Sequence, residues 1–299
     1  AKLLWLHAHR RSASEVLALH QADWILGRLT GRFGTSDWHN SLKAGFDPEQ
    51  EVWPDWLRGL DTGSIILPRV LAPGSEIAPV SRKAARLTGL PPTTLAVAGT
   101  TDSTAAVIAT GAAEVGEAVT CLGSTLVLKV LSARRLAAPK YGVYSHRYGD
   151  CWLAGGASNT GGAVLRSFFD DARIDQLSAG LCPDQATGLD YYPLTSPGER
   201  FPVNDAGLHP RLDPRPRDDR RFFQGILEGI ARIEADGYRR LHGLGAPYPT
   251  RVLSTGGGAG NAGWTRIREG LLGVPVAPAP VQEAAYGAAL LAHGSTGAV

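Results

Sequence analysis

Methionine is absent from this 299-residue chain, and cysteine is scarce. Cys121, Cys151 and Cys182 are odd in number, widely spaced and form no CxxC, which argues against a zinc ribbon or a disulfide framework and makes a reducing cytoplasm the simplest setting. No apolar run approaches the roughly 20 residues needed to cross a bilayer as a helix, and no charged-then-apolar signal segment opens the chain, so no membrane role is expected. An excess of either charge is lacking too. A formal charge of +2 offers nucleic acid no basic face, and the Arg-rich stretch from Arg211 to Arg221 is interleaved with Asp213, Asp218 and Asp219, as in a solvated loop. The Walker A pattern is missing, which disfavours a P-loop ATPase, and no GxSxG supports a hydrolase. The histidines (His7, His9, His20, His39, His146, His209, His242 and His293) pair with no carboxylates at metal-ligand spacing, so surface or loop roles are expected.

What is present is a globular composition, 43% apolar and 19% charged, on a chain long enough for one large domain or two smaller ones. The chain opens on AKLLWLHAHR, patterned like the middle of a helix, and reads as a fragment of a longer protein. Apolar residues recur at helical intervals from Ala1 to about Thr30, ending at Gly31, and the stretch to Pro79 is rich in Trp, Gly, Pro and Asp, as in loops. A short helix is predicted over Ser81–Gly89. TLAVAG (Thr94 to Gly99) then reads as a buried strand, TTDS as a turn, and Thr104 to Gly111 as a helix. EAVTC and LVLKVL predict a hairpin closed by Leu122-Gly123-Ser124-Thr125, with Trp152 to Ala154 as a third strand. After a loop-rich stretch over 182–219 comes an amphipathic helix from about Arg220 to Leu241. The end alternates strand RVLST, glycine turn GGGAGNAG, helix, strand VPVAP and helix, which makes an α/β domain from about Gly116 onward.

Chemistry concentrates in the turns. Asp102 sits where a strand gives way to a helix, a place where α/β sheets bind ligands and where helix N–H groups keep a carboxylate ionised. Such a group can serve as the base in phosphoryl transfer to an alcohol; from spacing alone, a plain helix cap is the simpler reading. Gly123, Ser124 and Thr125 offer backbone N–H groups and hydroxyls to a phosphate, as any tight hairpin turn would. Gly161 and Gly162 at a helix start suit either an anion or a sharp turn. Gly258, Gly260 and Gly263 satisfy GxGxxG between strand and helix, with Glu283 near the distance of a ribose-binding acid. Too little chain follows to complete a dinucleotide fold, and Glu283 opens a helix, so a nucleotide-binding glycine loop of another fold is the better reading. Trp38, Trp53 and Trp56 suit stacking on a sugar face, but more commonly such residues anchor cores and loops.

Four segments in order resemble the FGGY carbohydrate kinases: QADWILGRLTGRFGTSD, LPRVLAPGSEIAPVSRKAARLTGLPPTTLAVAGTTDSTAAVIATGA, AVTCLGSTLVLKV, and STGGGAGNAGWTRIREGLLGVPVAPAPVQEAAYGAALLA. The resemblance implies an α/β, two-lobed actin-like ATPase (ribonuclease H-like) fold. Residues 1–115 would be part of a first lobe, incomplete in this chain, and residues 116–299 the nucleotide-binding second lobe. It implies Asp102 as general base, Gly123, Ser124 and Thr125 near the transferred phosphates, Gly257, Gly258 and Asn261 against the adenosine, and Gly161 and Gly162 as further nucleotide contacts. ATP and Mg²⁺ are the implied cofactors. A sugar is the implied partner, and a homodimer is compatible with the resemblance. The family's N-terminal Asp-x-Gly-Thr-type phosphate motif is missing from these residues, so the chain as it stands is expected to be catalytically incompetent, with metal ligands expected in the missing part. TTDS departs from the Gly or Gln before and Asn after the Asp in many members. It resembles the short pentulose kinase-like members, which points to D-ribulose or D-xylulose, ribulose slightly preferred. The rivals are a NAD-dependent oxidoreductase using GxGxxG and a non-catalytic actin-like sugar or nucleotide sensor.

Overall fold

The computed structural model describes residues 2–9, 14–60 and 65–294. In chain order its elements are α1 (Lys2–His9), β1 (Val16–Leu17), α2 (Gln21–Thr30), β2 (Thr35–Asp37), α3 (Trp38–Leu42), α4 (Asp55–Arg58), β3 (Ile65–Ile66), β4 (Arg69–Leu71), β5 (Glu76–Pro79), α5 (Arg82–Thr88), β6 (Leu95–Val97), α6 (Asp102–Thr110), β7 (Glu117–Leu122), β8 (Leu126–Ser132), β9 (Tyr144–Tyr148), β10 (Cys151–Ser158), α7 (Gly162–Arg166), α8 (Asp171–Ala179), α9 (Asp219–Gly243), β11 (Arg251–Thr255), α10 (Ala262–Leu272), β12 (Val276–Pro278) and α11 (Ala284–His293). Two compact units result. One gathers the chain up to Ala109, residues 146–150 and the segment from Glu283 onward; the other holds 110–145 and 151–282.

The second unit carries the main hydrophobic core. Its strands lie in the order β12-β11-β7-β8-β10. The predicted hairpin is β7–β8, antiparallel, with Leu122 opposite Leu126 beside the turn; β10 adds antiparallel to β8, while β11 pairs parallel with β7 and β12 parallel with β11. The antiparallel half removes the doubly wound sheet that a dinucleotide fold requires, so the oxidoreductase rival loses its scaffold. Helix α9 packs on β8 and α10. It buries Phe222, Phe223, Ile226, Ile230, Ile233, Tyr238 and Leu241, the helical stripe its sequence displays. The loop-rich stretch before it is held by solvated ion pairs such as Arg211–Asp190 and Arg215–Asp219.

Inside that core lies a polar network. Arg268 on α10 meets Glu234 on α9 through two bonds, Nε to Oε2 at 2.6 Å and Nη2 to Oε1 at 2.7 Å, and both side chains are fully buried. Arg268 Nη1 also donates to Ser254 on β11 at 2.7 Å, and Thr120 on β7 donates to Glu234 at 2.6 Å. Thr120 has a single hydroxyl proton, so the Tyr238 hydroxyl, 2.7 Å away, donates to it. Burial opposes the Arg268 charge, but Glu234 beside it outweighs that and leaves the guanidinium above its ordinary pKa. Burial, then the Glu234 charge, hold the Tyr238 phenol protonated well above the usual range.

The first unit is made of shorter pieces: two-stranded sheets β1–β3 and β2–β4, both parallel, and antiparallel β5–β6. The helical period expected through Thr30 is broken, since α1 ends at His9 and Val16–Leu17 pair with Ile65–Ile66; residues 10–13 of that expectation lie outside the described residues. Helix α5 forms as predicted, capped by Ser81, whose Oγ accepts from Ala84 N at 3.2 Å. TLAVAG forms β6, but the buried-strand expectation fails. Among the described residues its one strand partner is β5, and Leu95 is 48% exposed. Helix α11 packs with this unit because Gly287 permits it: a Cβ there would lie 1.9 Å from the Ala105 carbonyl oxygen of α6.

Removing one side of a buried ion pair leaves an uncompensated charge, so Glu234→Ala is expected to lower unfolding stability by about 3–5 kcal/mol. Denaturant unfolding of the variant against wild type checks this, and a loss below about 1 kcal/mol would show that the network bears little of the core's stability.

Candidate functional site

Two sets of residues carry the candidate chemistry, one in each unit. In the second unit, β7 and β11 are parallel neighbours, paired as far as Cys121 opposite Thr255, so their turns leave the sheet from the same, carboxyl edge. The hairpin turn Gly123-Ser124-Thr125 follows β7 and the glycine turn follows β11. The two are bonded together, with Gly258 N donating to Leu122 O at 3.2 Å. A third strand end joins them. The amides of Gly162 and Ala163 donate to the carbonyls of Gly123 and Ser124 at 2.8 and 3.2 Å, and Leu126 N donates to Thr160 O at 2.7 Å. The structure therefore brings Gly123, Ser124, Thr125, Gly161, Gly162, Gly257 and Gly258 into one patch. The approach to Gly161 is held by a buried carboxylate the sequence reading did not single out. Glu199 accepts from Ser158 Oγ at 2.5 Å and from Asn159 N at 2.7 Å.

These glycines do different work. A Cβ on Gly161 would meet Ser124 O at 2.6 Å and Thr125 Cα at 2.7 Å, and on Gly258 it would meet the Trp264 ring at 2.5 Å; both positions are small because the turns interlock. Gly257 is exposed and a Cβ there would meet nothing within 4 Å, which leaves its backbone open to an approaching ligand. Asn261 is the N-cap of α10, its Oδ1 accepting from Trp264 N at 2.9 Å, while its Nδ2 donates to Ser178 at 2.9 Å.

In the first unit Asp102 is the first residue of α6, but it is not the cap. Thr101 is. The Thr101 carbonyl accepts from Ala105 N at 2.9 Å, and its buried Oγ1 accepts from Thr104 N at 3.3 Å and lies 2.9 Å from Thr104 Oγ1. Asp102 stays exposed, its Oδ1 accepting from Ser103 N at 2.7 Å. It borders an open pocket of about 400 Å³ whose far wall is Ala284, Ala285, Ala288 and Leu291 of α11. Those side chains offer a polyol no hydrogen-bond partners.

The same turn reveals a residue that sequence reading missed. His39 was expected at a surface or in a loop, yet it and His146 are buried, their rings edge to face at 5.7 Å. His39 Nδ1 lies 2.6 Å from Thr100 Oγ1, two residues from Asp102, and Nε2 lies 2.5 Å from Arg147 O. Of the tryptophans, Trp38 is buried under the Arg147 guanidinium, 4.2 Å from its ring centroid, and Trp53 donates to Pro68 O at 2.9 Å: both anchor loops, whereas Trp56 is exposed.

Gly161→Ala is expected to destabilise by about 1–3 kcal/mol because the turn cannot give way, while Gly257→Ala stays within about 0.5 kcal/mol of wild type. Thermal unfolding of the two variants side by side checks the contrast, and equal Tm values would contradict it.

Residues 118–295 match the C-terminal domain of the FGGY family of carbohydrate kinases. The chain is 25% identical to an L-fuculokinase of Salmonella typhi over 92% of its own length and 60% of that protein's. It is 23% identical to a xylulose kinase of Klebsiella pneumoniae, covering 86% of itself and 55% of that protein. A solved xyloylose kinase structure from Brucella ovis superposes with a TM-score of 0.84 at 24% identity, over 99% of this chain and 63% of that one. The chain thus spans less than two thirds of each of these relatives, and the structural match shows the fold, the α/β actin-like ATPase type expected from sequence. A match over more than half its length places this chain in the FGGY family of carbohydrate kinases.

Proposed function

We propose that the protein of which this chain is part phosphorylates a sugar hydroxyl at the expense of ATP, with Asp102 as the general base and a ketopentose, D-ribulose or D-xylulose, as the acceptor. The observation that carries the reading is the capping of α6 by Thr101. It frees Asp102 from the cap role and leaves its carboxylate exposed, with Oδ1 on the Ser103 amide. The ketopentose rests on the resemblance of the TTDS turn to the pentulose kinase-like members, and a xylulose kinase is among the similar proteins.

The residues present fit a nucleotide in the second unit. Gly257 leaves open backbone beside the hairpin turn, and Ser124 and Thr125 add hydroxyls where phosphates would lie. Asp102 Oδ2 would accept the proton of the attacking hydroxyl as its oxygen attacks the γ-phosphorus and ADP leaves. Positioning and electrostatics supply most of the acceleration in such transfers. Among the described residues no three His, Cys, Asp or Glu side chains gather as a metal cage. Among the described residues no helix is long and apolar enough to cross a membrane.

Asp102→Asn in the full-length protein is expected to preserve folding and sugar binding while lowering turnover by at least ~10²-fold. ADP release over a panel of pentuloses, pentitols and hexoses measures it and identifies the acceptor. Near-normal turnover in the variant would remove Asp102 from the mechanism, and no sugar-dependent ADP release from wild type would favour the sensor reading.

A further inference from the structure

We propose that His39 is a positioning residue that fixes, through the Thr100 hydroxyl, the turn on which Asp102 is carried; the inference rests on the general-base reading above. Asp102 itself is exposed, and its own hydrogen bond is to the next residue's amide. Holding it within the few tenths of an ångström that phosphoryl transfer demands therefore falls to the residues before it. Thr101 secures the helical side by capping. The other side, Gly99-Thr100, leaves a two-stranded sheet with limited rigidity of its own, and here the Thr100 side chain reaches His39 at 2.6 Å.

His39 is in turn held from several directions. Asp37, buried and capping α3, accepts from the amides of His39 and Asn40 at 2.9 Å each and from Asn40 Nδ2 at 2.7 Å, which sets where the imidazole starts. A carbonyl oxygen only accepts, so the short contact with Arg147 O assigns the proton to Nε2. In the neutral ring Nδ1 is then the acceptor and the Thr100 hydroxyl the donor. Three segments far apart in the chain, 37–40, 99–102 and 146–150, are thus joined at one imidazole, all within the first unit. A ring that served packing alone would need neither nitrogen, whereas here both meet polar atoms at hydrogen-bond distance.

Thr100→Val keeps the shape and deletes the hydroxyl, Thr100→Ser keeps the hydroxyl, and His39→Phe keeps the ring and deletes both nitrogens. In the full-length protein, Thr100→Val and His39→Phe are each expected to lower kcat about 10-fold or more with KM for ATP within about 2-fold of wild type, since a small misplacement of a reacting group costs up to about 10²-fold. Thr100→Ser should recover most of kcat, and the Val/Phe double variant should be no worse than either single one. Hydrogen exchange at the amides of Thr101 to Ser103 should quicken in Thr100→Val. Wild-type kcat in Thr100→Val, alongside loss of turnover in Asp102→Asn, overturns the clamp and spares the base. Wild-type turnover in Asp102→Asn overturns the base instead, and the clamp then stands if Thr100→Val quickens exchange in the turn and falls if it does not.

Discussion

Thr120 on β7 and Ser254 on β11 stand directly opposite one another in the parallel pair, and each is bonded to one half of the Glu234–Arg268 ion pair. That one buried interaction ties two strands and two helices at a single register point. Gly123 follows Thr120 by three residues and Gly256 follows Ser254 by two. A slip of one residue in either strand would turn its hydroxyl to the opposite face and leave a fully buried carboxylate or guanidinium short of a partner. The relative height of the hairpin turn and the glycine turn is therefore set from inside the core as well as by the bond between the turns. An apolar replacement of the same volume could be as stable, but it would lack this penalty against mispairing.

The two units solve their positioning problems differently. The second holds its glycine-rich patch on a wide sheet covered by α9 and α10, with the turns interlocked so closely that Gly161 and Gly258 have no room for a side chain. The first has only two-stranded sheets and short helices among its described residues, and large apolar side chains such as Trp5, Leu6, Trp24, Phe33 and Leu95 are exposed on it. There the turn bearing Asp102 depends on individual side-chain bonds: Thr101 to the helix, Thr100 to His39.

Much of the second unit was legible because its signals are local. The hairpin, the strand–glycine turn–helix sequence, and the long amphipathic α9 each announce themselves within a dozen or two residues, and their order matches a known fold. The first unit was harder. Thr101 and Asp102 are both good capping residues, and nothing in composition or spacing decides between them; only the bond from Thr104 N to Thr101 Oγ1 does. TLAVAG is apolar enough for a buried strand, but burial depends on how many strands lie beside it. His39 was invisible for a related reason: it meets a hydroxyl 61 residues away and a carbonyl 108 residues away, neither of them a nearby carboxylate. β9, Tyr144–Tyr148, also went unread, its polar Ser, His and Arg masking an edge strand.

The proposed transfer requires an acceptor hydroxyl at Asp102 and a purine nucleotide at the open backbone of Gly257. A crystal structure of the full-length protein with ADP and the acceptor sugar tests both together. The expected result places a sugar hydroxyl about 2.6–3.2 Å from an Asp102 carboxylate oxygen, with the nucleotide over Gly257 and its phosphates beside Ser124 and Thr125. A nucleotide bound away from the glycine turn, or a sugar whose hydroxyls all lie beyond reach of Asp102, would contradict it.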